Sequence, residues 1–251
     1  MKFIAENITA VEEGKFILKN FSHDFSNDGI VGILSTPVSK TNLALRALCG
    51  MFRIISGTAK LNDEIVNSET GHHHIKVKSN ISYVFRNGGL ISNISVNENL
   101  LLPLDFHFKN LSQSDKKARI DSYLEKFELE SSILDKRPAQ LAIHEHKLII
   151  LIRSFITHPT LILMDEPTDG LDIKSKKLVI EEILELRKEQ KTIQIFTTNS
   201  ESELIWNSDK LILLEEGELI EYGTFENLLN SQNSFVKKLL TDYSTSLKNE
   251  T

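Results

Sequence analysis

The chain has 251 residues, enough for one large α/β domain with a sizeable core. Its 29 basic and 35 acidic side chains leave a formal charge of −6, which argues against nonspecific nucleic-acid binding through bulk charge. Cys49 is the only cysteine, which excludes an intrachain disulfide and fits a reducing compartment.

The opening Met1-Lys2-Phe3-Ile4-Ala5-Glu6 carries acid early and lacks a long apolar core, so it does not read as a signal peptide. Residues 1 to 35 read as short strands joined by polar turns, with Asn27-Asp28-Gly29 a turn and Ile30 to Leu34 an apolar strand. Ser35-Thr36-Pro37-Val38-Ser39-Lys40-Thr41 follows, then a predicted helix from Asn42 to Cys49, ended by Gly50. Strand, loop with Lys-Thr and helix is the context in which a phosphate-binding loop sits, although such pairs are also frequent at ordinary helix N-termini. This loop has no glycine between Ser35 and Ser39, and Pro37 removes one N–H donor. Three consecutive histidines, His72 to His74, read as a solvated loop, because neighbours on an extended chain point to opposite faces.

Ile81 to Phe85 alternates like a strand. Ser112-Gln113-Ser114-Asp115 is a capping start, and Ile120, Leu124 and Phe127 then recur at helical spacing as a core stripe. Leu148 to Ile152, the most apolar run in a helical context, is far short of the ~20 residues that span a bilayer. Any membrane role is therefore expected to run through a partner. Leu161 to Met164 is a short, bounded apolar run, as expected of a strand buried on both faces of a parallel sheet. It delivers Asp165 and Glu166 to the strand's C-terminal end, where open α/β sheets place ligands. Carboxylates buried there need a metal, a proton or a cationic partner, unless the strand simply runs into an acidic turn. Lys174 to Gln190 is a predicted helix, Thr192 to Thr197 a strand, and Leu211 to Leu214 with Leu219 to Tyr222 a hairpin. Gly223-Thr224 starts a further helix, and the end of the chain reads as a helix and a frayed tail.

The string Thr160-Leu-Ile-Leu-Met-Asp-Glu-Pro-Thr-Asp-Gly-Leu-Asp172 resembles the Walker B segment and D-loop of ATP-binding cassette (ABC) ATPases, and other segments fall in matching order over residues 1 to 228. The resemblance implies an α/β, P-loop NTPase (RecA-like) core with an antiparallel β-subdomain, to which Gly57 to Asn62 belongs, and an inserted α-helical subdomain. It implies one domain: core and β-subdomain from 1–88 and 156–228, helical subdomain 89–155, and a C-terminal helix and tail, 229–251. Ser39, Lys40 and Thr41 would hold phosphate, Thr41 and Asp165 would ligate Mg²⁺, Glu166 would polarise the attacking water, and Asp172 would complete the nucleotide-binding set.

Arg86 to Leu100 resembles the Q-loop and following helix of these cassettes, particularly those of Mla/Mce-type lipid transporters and the related lipoprotein-release cassettes. Arg86 stands where the family has glutamine and cannot ligate metal or accept from water, so it is expected to neutralise a phosphate or pair with Glu166. Leu141-Ala142-Ile143-His144-Glu145 stands at the signature motif, with no serine hydroxyl at Ala142, bulk at Ile143 and negative charge at Glu145. Asn199 replaces the switch histidine and cannot carry a proton, though a turn asparagine reads equally well there. Glu12 falls near the aromatic that stacks on adenine. These features imply ATP and Mg²⁺ as cofactors, a permease, a second cassette in a homo- or heterodimer, a lipid-binding shuttle protein, and no nucleic acid. They place the chain on the cytoplasmic face of the inner membrane. Two activities stay open: a transporter ATPase, and a non-hydrolysing subunit that scaffolds or regulates a cell-envelope complex.

Overall fold

The structure, a computed structural model, describes residues 1–36, 40–67, 77, 79–198 and 203–245; Ser39, His72 to His74 and Asn199 lie outside them. Its strands are β1 (Phe3–Glu12), β2 (Lys15–Asp24), β3 (Ile30–Leu34), β4 (Ser56–Leu61), β5 (Glu64–Ile65), β6 (Ile81–Val84), β7 (Leu161–Asp165), β8 (Ile193–Thr197), β9 (Lys210–Glu215) and β10 (Glu218–Gly223). The main helices are α1 (Thr41–Leu48), α2 (Val96–His107), α3 (Gln113–Lys126), α4 (Ile143–Phe155) and α5 (Ile173–Gln190). Three more close the chain: α6 (Glu203–Trp206), α7 (Phe225–Leu229) and α8 (Ser234–Thr245).

Six strands form the core sheet in the order β10-β9-β3-β8-β7-β6. The five from β9 to β6 run parallel, and β10 closes one edge antiparallel to β9. Every residue of β3, β7 and β8 is buried. Their side chains divide by period two between two cores. Ile30, Ile162, Met164 and Phe196 face α2 to α5, while Val31, Ile33, Leu161, Leu163 and Ile195 face α1 and the second sheet. That second sheet, β2-β1-β4-β5, is antiparallel throughout. The first two strands are ten residues each, longer than the short strands expected, because register shifts let β1 bend between two neighbours. Gly57 makes one such approach possible: its φ is +92°, and a Cβ there would lie 2.4 Å from the carbonyl oxygen of Asn7.

A buried carboxylate ties the two sheets together. Asp28, in the turn before β3, accepts from Tyr222 of β10 at 2.5 Å and meets His23 Nε2 of β2 at 2.6 Å. Burial alone would raise the Asp28 carboxyl, but the His23 and Tyr222 hydrogen bonds outweigh it and hold it below the usual range. Cys49, at the C-terminal end of α1, is buried in the core beneath that helix.

The helical layer rests on caps legible in the sequence. Ser95 and Glu98 form a reciprocal capping box at α2, and Ser112 Oγ accepts from Asp115 N–H at 3.1 Å to start α3. Pro103 sits inside α2, which nonetheless continues to His107. Among the described residues, no helix is long and apolar enough to cross a membrane.

Candidate nucleotide site

The sheet register assembles the site. Ile33 of β3 pairs with Thr197 of β8, which pairs in turn with Asp165 of β7, so the three lie in one row at the C-terminal edge. The loop after β3 and the acid pair after β7 therefore leave from adjacent points of the same edge, a place where open α/β sheets bind ligands. Thr41 opens α1 and is buried; Lys40 precedes it as the N-cap residue, with its side chain nearly half exposed.

Asp165 and Glu166 are both buried. Thr197 Oγ1 donates to Asp165 Oδ1 at 3.3 Å, and Thr198 Oγ1 donates to Glu166 Oε2 at 2.9 Å. Burial pushes the Asp165 carboxyl up, against the Thr197 hydrogen bond and the nearby cations Lys147, Arg46 and Arg86. Glu166 takes a left-handed φ of 47° immediately before Pro167, a conformation that costs a non-glycine residue about 1–2 kcal/mol. The chain turns sharply there and leaves the carboxylate at the sheet edge.

Four of the residues named from the sequence make contacts within the chain. Arg86 pairs through Nε with Asp169 at 2.8 Å, three residues beyond the expected Glu166. Asp172 caps its own helix: Oδ1 accepts from Ser175 N–H at 2.8 Å, which holds its carboxyl below the usual range. Glu145 folds back to accept from Ala142 N–H at 2.8 Å and meets Lys136 at 3.3 Å, so its charge is spent locally rather than projected outward. The Ala142 N–H bond is also the main cause of its lowered pKa. Lys40 does not stand free for phosphate, since Glu13 accepts from its Nζ at 2.9 Å and Glu12 lies 3.9 Å away. In the signature-like segment Ala142, Ile143 and His144 are exposed, Ile143 being 80% accessible.

A cavity of about 670 Å³ is lined by Ser35, Thr36, Lys40 and Thr41 together with Lys15, Phe16, Glu12, Glu13, Glu215 and Glu216. Phe16 escaped sequence reasoning. It stands on β2, 45% exposed, with Lys19 Nζ 5.3 Å from the ring centroid. Lys147 was missed as well: it is a buried cation on α4 that donates to the carbonyls of Phe85 and Arg86.

The donor set suits a hard divalent cation. A threonine hydroxyl and an aspartate carboxylate are oxygen ligands, and a carboxyl held up by burial is relieved by positive charge. The cavity has the volume of a nucleotide-sized ligand, and its lining mixes lysine and glutamate side chains.

A parallel sheet carrying this edge, flanked by an antiparallel sheet and a helical layer, defines the ATP-binding cassette class. A solved structure described as the dimeric structure of MJ0796, a bacterial ABC transporter cassette, superposes with a TM-score of 0.80 at 22% identity, covering 88% of this chain and 98% of that one. The structure of an ATP-binding subunit of an ABC transporter gives 0.81 at 16% identity, over 97% of this chain and all of the other. The sequence profile of the ABC transporter family matches residues 18–169, and the chain belongs to that family.

Curated relatives include the probable sulfate/thiosulfate import ATP-binding protein CysA of Chlorella vulgaris, 27% identical over 96% of this chain and 99% of that protein. The spermidine/putrescine import ATP-binding protein PotA of Thermotoga maritima is 26% identical over 87% of this chain, which spans 57% of the relative's length.

Proposed function

We propose that the chain is the ATP-binding subunit of an ABC transporter and works through a partner permease on the cytoplasmic face of a membrane. The observation that carries the reading is the row Ile33–Thr197–Asp165, which brings the Lys40-Thr41 loop and the Asp165-Glu166 pair to one sheet edge beside a nucleotide-sized cavity. In this reading Thr41 and Asp165 hold Mg²⁺, which neutralises phosphate charge when bound. Ser39 and Lys40 receive the phosphates, Phe16 offers a ring face to the base, and Glu166 orients the attacking water. Lys40 must leave Glu13 before it can reach a phosphate.

Three other residues support a reading of weak or absent hydrolysis by the isolated chain. Arg86 is engaged with Asp169, Asn199 stands for a proton-carrying histidine, and exposed Ile143 replaces a small residue at a helix N-terminus. Pairing with an intact second cassette supplies one sound half to each shared site, and we favour that over self-pairing. Among substrates we favour lipid, because Arg86 to Leu100 resembles lipid-transport cassettes; a lipid-binding shuttle protein is then the third partner. The named relatives import sulfate and polyamines, so the substrate assignment rests on that segment alone.

The purified chain should bind a trinitrophenyl-ATP analogue with Mg²⁺ yet release phosphate far more slowly than ordinary transporter cassettes. Fast release that is abolished in Glu166→Gln would overturn the weak-hydrolysis reading. No analogue binding at any concentration would overturn the nucleotide site itself.

A further inference from the structure

Lys147 is out of place by ordinary burial statistics. It is 4% accessible, and lysine side chains are almost never fully buried without a partner. Its Nζ donates to two carbonyl oxygens, Phe85 at 3.3 Å and Arg86 at 3.2 Å, both in the segment leaving β6. Neutral carbonyls do not cancel an ammonium charge, so something else must make the buried cation tolerable. The sheet register sets Val84 of β6 beside Met164 of β7, so the two carbonyls that hold Lys147 leave β6 next to where Asp165 and Glu166 end β7. Burial pushes the ammonium down to about 8, while Asp165, Asp169 and Glu166 favour its charged form and Arg86 opposes it. Arg86, whose carbonyl Lys147 holds, pairs with Asp169 through its side chain. Two cations thus stand among three acids, with α4, the segment after β6 and the end of β7 joined through them.

We propose that Lys147 is a positioning residue that supplies the internal positive charge of this acid cluster, in the role a divalent cation would otherwise fill. The inference rests on the reading that Asp165 lies at a Mg²⁺–nucleotide site, and it adds a consequence. With Lys147 in place the acids are already partly compensated, so the nucleotide-free chain has little pull on a divalent ion. Because the same ammonium clamps the segment after β6, α4 and that segment move as a unit.

Mn²⁺ alone, followed by electron paramagnetic resonance on the full chain without nucleotide, tests the charge. Lys147→Gln keeps two N–H donors for the carbonyls and removes the charge, whereas Lys147→Met removes both. Both variants should bind Mn²⁺ about five-fold or more tightly than the parent chain, an effect set by one missing charge at short range. Lys147→Met alone should lose thermal stability through the lost clamp. Mn²⁺ affinity unchanged in a folded Lys147→Gln chain overturns the assignment and leaves a purely structural lysine. The analogue titration is read in parallel: if it shows no nucleotide binding while Mn²⁺ still tightens, the functional reading fails and the charge assignment stands.

Discussion

At the scale of single residues, the least expected contact is the one between Lys40 and Glu13. The ion pair is solvent-exposed and raises the pKa of the lysine while lowering that of the glutamate. For an incoming phosphate it is nonetheless a competitor on the group that matters most, and Glu12, Glu215 and Glu216 add like charge to the same cavity wall. Glu13→Gln should therefore tighten analogue binding about two- to five-fold, with the gain shrinking as salt rises. Equal or weaker binding would show that Glu13 does not compete. Asp28 makes a separate, stability-level prediction. Its folded pKa lies below the ordinary 3.8, so the stability it contributes is present above that value and is lost as pH falls through the lowered one. Asp28→Asn should cost about 2 kcal/mol at neutral pH and flatten the acid limb of a denaturation profile below pH 4. A variant whose acid limb matches the parent's would remove Asp28 from the account.

At the scale of elements, the β1–β4 pairing hangs on Gly57. A side chain there is strained by the positive φ and driven into the Asn7 carbonyl, a backbone atom that cannot swing aside. Gly57→Ala should lower unfolding free energy by about 2–4 kcal/mol, read from urea denaturation, and a loss under 1 kcal/mol would contradict the bulge geometry. Elements of this kind divide sharply in how far the sequence foretells them. β7, α5 and the β9–β10 hairpin were legible because each is written in adjacent residues: an apolar run stopped by Pro167, a 3.6-residue stripe, and a turn around Gly217. The caps at Ser95 and Ser112 are similarly local. Lys147 reaching the carbonyls after β6 was not legible, because its partners lie some sixty positions away and a lysine in a helix ordinarily points to water. The local partners of Glu145, which the sequence marks only as negative charge at the signature position, were not legible for a related reason. Its position three residues after a cap that has no side-chain oxygen hid the possibility that it would accept the cap's own N–H.

At the scale of the whole molecule, the proposed pairing with a second cassette turns on the surface near the start of α4. Ile143 and Ile173 are 80% and 84% accessible, and Ile143 approaches Gly170, so the face presents bulky apolar side chains at the start of α4. With ATP and Mg²⁺ the chain alone should stay monomeric in sedimentation velocity, and a dimer should form only when an intact cassette is added. A nucleotide-dependent dimer of this chain by itself would argue for self-pairing.

The buried sulfur at the end of α1 turns the fold into its own stopwatch. Because Cys49 is the sole thiol and is buried as the C-cap of the helix that begins with Thr41, a maleimide reaches it when the end of that helix opens. Its labelling rate therefore times the opening of the phosphate-side helix without any engineered probe.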